Sequence, residues 1–332
     1  MDKDKISRSE ADEKLTECIK GAVWGQIVGD ALGVPAEFIR RDVFKNKPID
    51  RMMYGGSHNM PKGTWSDDSS MLLCTLTSIT EKQNIDLDDI MQQFSRWIKE
   101  GYMTPHGKPF GVGRTTFKAI TKFWHGEAAA KCGCSSERDN GNGSLMRILP
   151  VILYNAFVRP ELTISNKIQN INAVSALTHS HGRSCMACGI YSFILEELLT
   201  QQSKSAIHKG LEKAKTYYKQ NSEYSEFELL FSEKFESLVE DEIKSSGYVV
   251  HTLEAAVWCI LNTSSYREAV LKAVNLGDDA DTVAAVTGGL AGMLYGYSSI
   301  PQEWIDEIVL KDNIADMCGD FEKALKILCS RG

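Results

Sequence analysis

Residues 275–282 read Asn-Leu-Gly-Asp-Asp-Ala-Asp-Thr and place Asp278, Asp279 and Asp281 just ahead of a run, 283–292, built largely of Ala, Gly and Val. A helix with such small side chains packs closely against neighbouring backbone, so acids at its start stand on ground about to be buried. An unpaired carboxylate there neutralises or costs several kcal/mol, and a cation is the natural counter-charge. A second acid pair, Asp67-Asp68, follows Ser66 and precedes the helical face of Met71, Leu72, Leu76 and Ile79. Ser66 suits an N-cap and the acids suit the positive end of a helix dipole, so ordinary capping explains this group equally well. Asp30, inside an apolar segment, and Glu37, shortly after Pro35, have no such explanation.

If the two helix starts meet in one core, Asp67, Asp68, Asp279 and Asp281 converge, and Glu37 makes a fifth acid. Two carboxylates about 4 Å apart repel by roughly 4 kcal/mol at an effective dielectric of 20. Hard oxygen donors from Asp, Glu, Ser and Thr point to Mg²⁺ or Mn²⁺ rather than zinc. Five carboxylates against two divalent ions leave a net charge of about −1, which suits a two-metal site.

The elements that position these groups are helical. Residues 15–33 are apolar around most of a helix surface, and Gly21, Gly25, Gly29 and Gly33 recur every four residues. Each glycine costs about 1 kcal/mol against alanine in a helix interior, so the stripe implies a close approach of another backbone. Gly288, Gly292 and Gly296 repeat that spacing, and the two helices are expected to pack together at the centre of the fold. Residues 86–100 are amphipathic, and 101–114 form a loop of the kind that often carries function. Two Asn-Gly pairs at 140–143 can turn backbone N–H groups toward a phosphate or simply make turns. Beyond the helical stretch 164–177 come His179 and His181, residue types more often surface or hydrogen-bonded core than ligands. Cys132, Cys134, Cys185 and Cys188 match no zinc-ribbon spacing and read as buried or free thiols. Residues 200–247, rich in Lys, Glu, Gln and Ser, read as a peripheral, solvated helical segment. No useful β-alternation is present. The expected class is all-α, and the 332 residues suit one large domain or two modest ones.

The charge balance, 37 basic against 44 acidic residues or −7 net, argues against general nucleic-acid binding. Nine cysteines, an odd number, and a charged beginning without a leader pattern fit free thiols in the cytoplasm. No uncharged apolar run reaches the roughly 20 residues of a spanning helix, so no membrane association is expected.

Taken in order, Gly29-Asp30-Ala31-Leu32-Gly33 with Glu37, Ser66-Asp67-Asp68, Asn142-Gly143-Ser144-Leu145-Met146-Arg147, Thr178-His179 and Gly277-Asp278-Asp279-Ala280-Asp281-Thr282 resemble the motifs of the ADP-ribosylglycohydrolase family. The resemblance implies a compact all-α fold, a single domain over residues 1–332, with two Mg²⁺ or Mn²⁺ ions in a central cleft held by Ser66, Asp67, Asp68, Asp279, Asp281 and Thr282, with Glu37 beside them and Asp278 left to the turn. It places Gly113, Asn142, Gly143, Ser144, Met146 and His179 against ADP-ribose. It implies hydrolysis of the N-glycosidic bond joining ADP-ribose to an arginine of a modified protein, with ADP-ribose as a product. Such a bond breaks with oxocarbenium character, the metal pair gripping the ribose diol and a water while Asp68 or Glu37 takes the proton. One departure is Gly111, where relatives of the dinitrogenase-reductase type often carry an acid in a Phe-Asp-x-Gly loop. A serine linkage, O-acetyl-ADP-ribose, or a non-catalytic relative like the J1 crystallins therefore remain alternatives. The sequence assigns no oligomeric state.

Overall fold

The computed structural model describes residues 8–330, and among these the regular structure is helical, with only isolated bridging pairs of extended residues. Fourteen α-helices run in order. The first five are α1 (Arg8–Gly33), α2 (Arg41–Asn46), α3 (Asp67–Lys82), α4 (Leu87–Glu100) and α5 (Arg114–Trp124). The middle of the chain supplies α6 (Leu149–Phe157), α7 (Ile164–Ser175), α8 (Gly182–Thr200), α9 (Lys204–Tyr218) and α10 (Val249–Leu261). The last four are α11 (Tyr266–Asn275), α12 (Ala280–Tyr295), α13 (Gln302–Glu307) and α14 (Lys311–Cys329).

α1 and α12 lie at the centre, antiparallel and in backbone contact. A methyl group on Gly21 would overlap the carbonyl oxygen of Gly292, one on Gly25 that of Gly288, and one on Gly29 that of Ala284. The reverse holds from the other side, where Gly288 and Gly292 admit the carbonyls of Gly25 and Gly21. Two helices of ordinary residues sit 8–10 Å apart; here nothing but hydrogen separates them along the stripe. The other helices wrap this pair, burying Ile19, Val23, Ile27, Leu290 and Met293 completely. α10 and α11 cover one flank through Val257 and Tyr266, whose hydroxyl donates to the Gly25 carbonyl at 2.7 Å.

Gly296 departs from the expected role. It ends α12 with a positive φ of 84° and faces the Glu17 carboxylate rather than the α1 backbone. Its place is that of a helix terminator, where glycine is favoured because the left-handed region carries no Cβ penalty.

The segment 200–247 is helical only over α9. Beyond it the chain makes short 3₁₀ turns at Tyr224–Phe227, Phe235–Ser237 and Glu240–Glu242, and Phe227, Leu230 and Phe235 are buried. The apolar spacing resembles an amphipathic helix, yet the carbonyls are taken by distant donors. Trp258 donates to Leu238, Arg41 to Glu240 and Ile243, and Lys215 to Phe231. Tertiary partners replace the helical ladder.

Filling the central contact should be costly. Gly292→Val is expected to lower the free energy of unfolding by roughly 2–3 kcal/mol, the overpacking range. Gly319→Ala, in α14 with nothing within 4 Å of the added methyl, should raise it by up to about 1 kcal/mol. Urea titrations of the two variants would check the contrast.

Candidate active site

The antiparallel register carries α1 forward until Gly33 packs on the backbone of Asp281 at the start of α12. One turn earlier on α1, Asp30 is fully buried and accepts from Ser66 N at 3.0 Å, Ser69 N at 3.0 Å and Ser69 Oγ at 2.5 Å. These are the unsatisfied amides at the start of α3, so Asp30 caps that helix from outside and fixes Asp67 and Asp68 against α1 and α12. Ser66 is the N-cap residue, accepting from Asp68 N and donating to Asp68 Oδ2 at 3.1 Å. The chain leaving α1 turns through Val34–Ala36 and delivers Glu37. Phe38 N donates to Asp278 O at 2.6 Å and Asp278 N to Ile39 O at 2.9 Å, which ties Glu37 to the acidic turn. Asp278 is exposed at φ 57° and shapes that turn.

The carboxylates converge as two groups. Oxygens of Asp30, Asp68 and Asp281 lie within 4.8 Å of one another, as do those of Glu37, Asp279 and Asp281. Thr282 Oγ1 donates to Asp68 Oδ2 at 3.2 Å, and Asn142 Nδ2 donates to Asp279 Oδ2 at 2.6 Å and to Thr252 Oγ1 at 2.9 Å. Among the described residues no Lys or Arg pairs with Asp30, Glu37, Asp67, Asp68, Asp279 or Asp281; Glu37 alone has an imidazole partner, His58 at 2.5 Å. Asp68 Oδ1 is buried with no hydrogen-bond partner.

Burial is the largest cause of every shift here, and it pushes all of these groups upward. Asp67, Asp68 and Asp281 are held well above the ordinary carboxylate range, with neighbouring carboxylates adding to the burial. Asp30 rises to about 6 in spite of its bonds from Ser69 and Ser66. Glu37 and Asp279 also rise, partly offset by His58 and by Asn142 respectively. At an effective dielectric of 20, each pair of charges at this spacing repels by roughly 3–4 kcal/mol. Six all-oxygen acids, two flanking hydroxyls and an orphaned buried carboxylate oxygen fit a divalent cation and offer no nitrogen or sulfur ligand.

Above the acids opens a cleft of about 710 Å³ lined by Glu37, Asp67, Asp68, Asp279, Asp281 and Thr282 on its floor side, and also by Gly113, Gly143, Met146 and His179. His179 is buried and bonded through Nδ1 to Thr178 Oγ1 at 2.8 Å, which itself accepts from Arg147 at 2.7 Å. Burial, then the Arg147 charge, pushes its pKa down to about 3. A methyl on Gly143 would press on His179 and Thr116, so the loop can lie against the imidazole only as glycine. Gly111, at φ 73°, leaves room for Asp67, whose carboxylate a Cβ there would strike.

Ser144 is not among the residues that line this cleft. It is buried behind the cleft wall, where Ser175 Oγ bonds it at 2.9 Å and Cys188 lies at 3.6 Å. The 3₁₀ turn Leu145–Arg147 that begins there points its side chain inward. Asn142 lines the cleft chiefly as the support of Asp279. Among the described residues the four cysteines 132, 134, 185 and 188 form no metal-type group, and all are free thiols. Sequence reasoning passed over Asp30 as a member of the cluster, although an acid between Gly29 and Gly33 was its signal. His58 comes from a loop without periodicity and left no signal at all.

The sequence matches the family model for ADP-ribosylglycohydrolase over residues 11–329. The chain belongs to the ADP-ribosylglycohydrolase family. It is 33% identical over 313 residues to the ADP-ribosylarginine hydrolase Tri1 of Serratia proteamaculans, covering 94% of this chain and 80% of that one. It is 30% identical to the ADP-ribosyl-[dinitrogen reductase] glycohydrolase of Rhodospirillum rubrum, covering 88% and 90%. A solved structure titled ADP-ribosylglycohydrolase-related protein complex superposes with a TM-score of 0.75 at 26% identity, covering 94% of this chain and 99% of that one. This family member is accordingly a hydrolase of glycosyl bonds to ADP-ribose, with the all-α fold the motifs implied. No helix among the described residues is long and apolar enough to cross a membrane.

The acid cluster fixes the sign of a pH effect. A carboxyl raised on folding binds its proton more readily in the folded state, so stability falls as pH rises from the unfolded to the folded pKa. For Asp30 that window runs from 3.8 to about 6. In excess chelator, urea unfolding should show stability declining across this window, and added Mg²⁺ should reverse the loss at pH 7. Stability that climbs through the same window without cations would contradict the clustered arrangement.

Proposed function

We propose that this glycohydrolase releases ADP-ribose from arginine side chains of modified proteins, acting as one catalytic domain over residues 1–332. The linkage rests on the names of its relatives, ADP-ribosylarginine hydrolases in Serratia proteamaculans and Pseudomonas putida at 33% and 30% identity. The observation that carries the chemistry is the pair of oxygen groups sharing Asp281, with Asp68 Oδ1 left without a partner.

Asp67, Asp68, Asp279, Asp281, Ser66 and Thr282 are the residues proposed to hold two Mg²⁺ or Mn²⁺ ions. Bound there, such ions supply Lewis-acid stabilisation to the ribose hydroxyls and to the attacking water. Glu37 lines the cleft with Oε2 held by His58 and its carboxylate grouped with Asp279 and Asp281, a position from which it would accept a proton from that water. Its raised pKa, caused by burial, makes it a better base than a surface glutamate. Asp68, held by Ser66 and Thr282, is assigned to the cations. Water forms a bond to the anomeric carbon as the bond to the guanidine nitrogen breaks; the electron pair goes to the leaving guanidine, and the proton that Glu37 takes from the water is passed on to it, which returns Glu37 to its carboxylate form. Since Arg147 donates to Thr178 Oγ1, the threonine proton is directed to His179 Nδ1, and the neutral imidazole presents Nε2–H to the cleft as a donor to the nucleotide half.

Release of ADP-ribose from an ADP-ribosylarginine peptide tests the reading, with an ADP-ribosylserine peptide alongside. Glu37→Gln should lower kcat by about 10²–10⁴-fold, the span of general-base catalysis, while keeping the thermal shift given by Mn²⁺. Asp68→Asn should lose both turnover and that shift. Turnover that survives chelation, or is undiminished in Glu37→Gln, would refute the assignment.

A further inference from the structure

The cleft is bordered beside its acids by a feature the hydrolytic machinery leaves unused. Phe38 directly follows Glu37, lines the cleft, stands 68% exposed and adopts a left-handed backbone with φ 61°. A bulky residue at positive φ is uncommon and strained. Exposing its ring also forgoes the gain that burial of a phenylalanine brings. The conformation is pinned by the bond from Phe38 N to Asp278 O, so the ring is held at the mouth by the same turn that carries the acids.

Behind it stand two more rings. His58 lies 5.9 Å from Phe38 and Phe110 lies 5.2 Å from His58, centroid to centroid, with the ring planes inclined at 57° and 55°. The loop that supplies His58 is closed by the paired bonds of Gly55 and Met60, and Ser57 Oγ donates to Glu37 O at 2.6 Å. His58 itself rests on the Glu37 carboxylate. An open aromatic face is therefore fixed immediately beside a concentration of carboxylates. Phosphate there would meet like charge. A cation is favoured twice, by the ring's quadrupole and by the acids. Two exposed arginines, Arg114 and Arg138, line the same cleft without an acidic partner among the described residues and suit the anionic nucleotide half.

We infer that Phe38, backed by His58 and Phe110, seats the guanidinium side chain that leaves when ADP-ribose is released, and so selects an arginine-linked substrate. This deepens the proposed function and rests on it for the identity of the leaving group. Agmatine, a small guanidinium probe, and ADP-ribose are each titrated into Mg²⁺-loaded wild type, Phe38→Ala and Phe38→Trp, and kcat/KM is measured on the arginine-linked peptide. Phe38→Ala is expected to weaken agmatine and lower kcat/KM roughly tenfold, within the reach of a partly desolvated cation–π contact, with ADP-ribose affinity unchanged. Phe38→Trp should retain both. Equal agmatine affinity in wild type and Phe38→Ala, no agmatine binding to wild type, or a parallel loss of ADP-ribose affinity would overturn the seat. If wild type binds agmatine through Phe38 yet releases nothing from the peptide, the seat stands and the arginine hydrolase reading falls. Turnover untouched by Phe38→Ala reverses that outcome.

Discussion

Everything in the cleft depends on the hydrogen-only contact between α1 and α12. Where Gly21, Gly25 and Gly29 meet Gly292, Gly288 and Ala284, each backbone enters the space a Cβ would occupy, and no slip of one residue is possible without a collision. A contact of this kind sets register in the way knobs and holes do in wider packings, but with less tolerance. Its last step places Gly33 on Asp281, and so brings the end of one helix and the start of the other to a common point. The glycines forgo helix propensity of about 1 kcal/mol each, and the dispersion and burial along the seam offset it.

That point is electrostatically unfavourable by construction. Six acids with raised pKa values and no lysine or arginine partner among the described residues oppose folding on their own, and a buried charge without compensation is the costliest defect a core carries. The fold answers in part with neutral donors: Asn142 on Asp279, Thr282 on Asp68, and the α3 amides on Asp30. Asp68 Oδ1 receives nothing. A site left short of positive charge while its geometry is rigidly held is a site built to gain a cation, and the stability of the apo and loaded states is thereby linked.

Much of this was legible because small residues and acids are rare company in apolar helices. The glycine spacing foretold the central pair, and the acidic helix starts foretold the convergence. What stayed hidden was decided by tertiary contacts. Asp30 reads as a misplaced core acid until α3 is seen to start against it. Ser144 lies in a motif that faces the cleft, but the turn after it rotates its hydroxyl into the core. Phe227 and Phe235 have helical spacing, yet donors from α9, α10 and Arg41 claim the carbonyls around them. Periodicity reports burial; it does not report which partner takes the backbone.

The same distinction separates the two histidines at the cleft. His179 is neutral because it is buried beside Arg147, and its role is fixed by a chain of donors running from that guanidinium through Thr178. His58 is half-buried, touches Glu37 and meets two phenylalanine rings at a tilt. One imidazole is an insulated donor and the other a bridge between the acids and the aromatic rim. Their sequence contexts, Thr-His-Ser and Ser-His-Asn, are nearly interchangeable. What differs is the dielectric around each ring and the charge nearest to it. Those two quantities, set by packing over the whole chain, divide the cleft into an end suited to a neutral hydrogen-bond donor and an end suited to a cation.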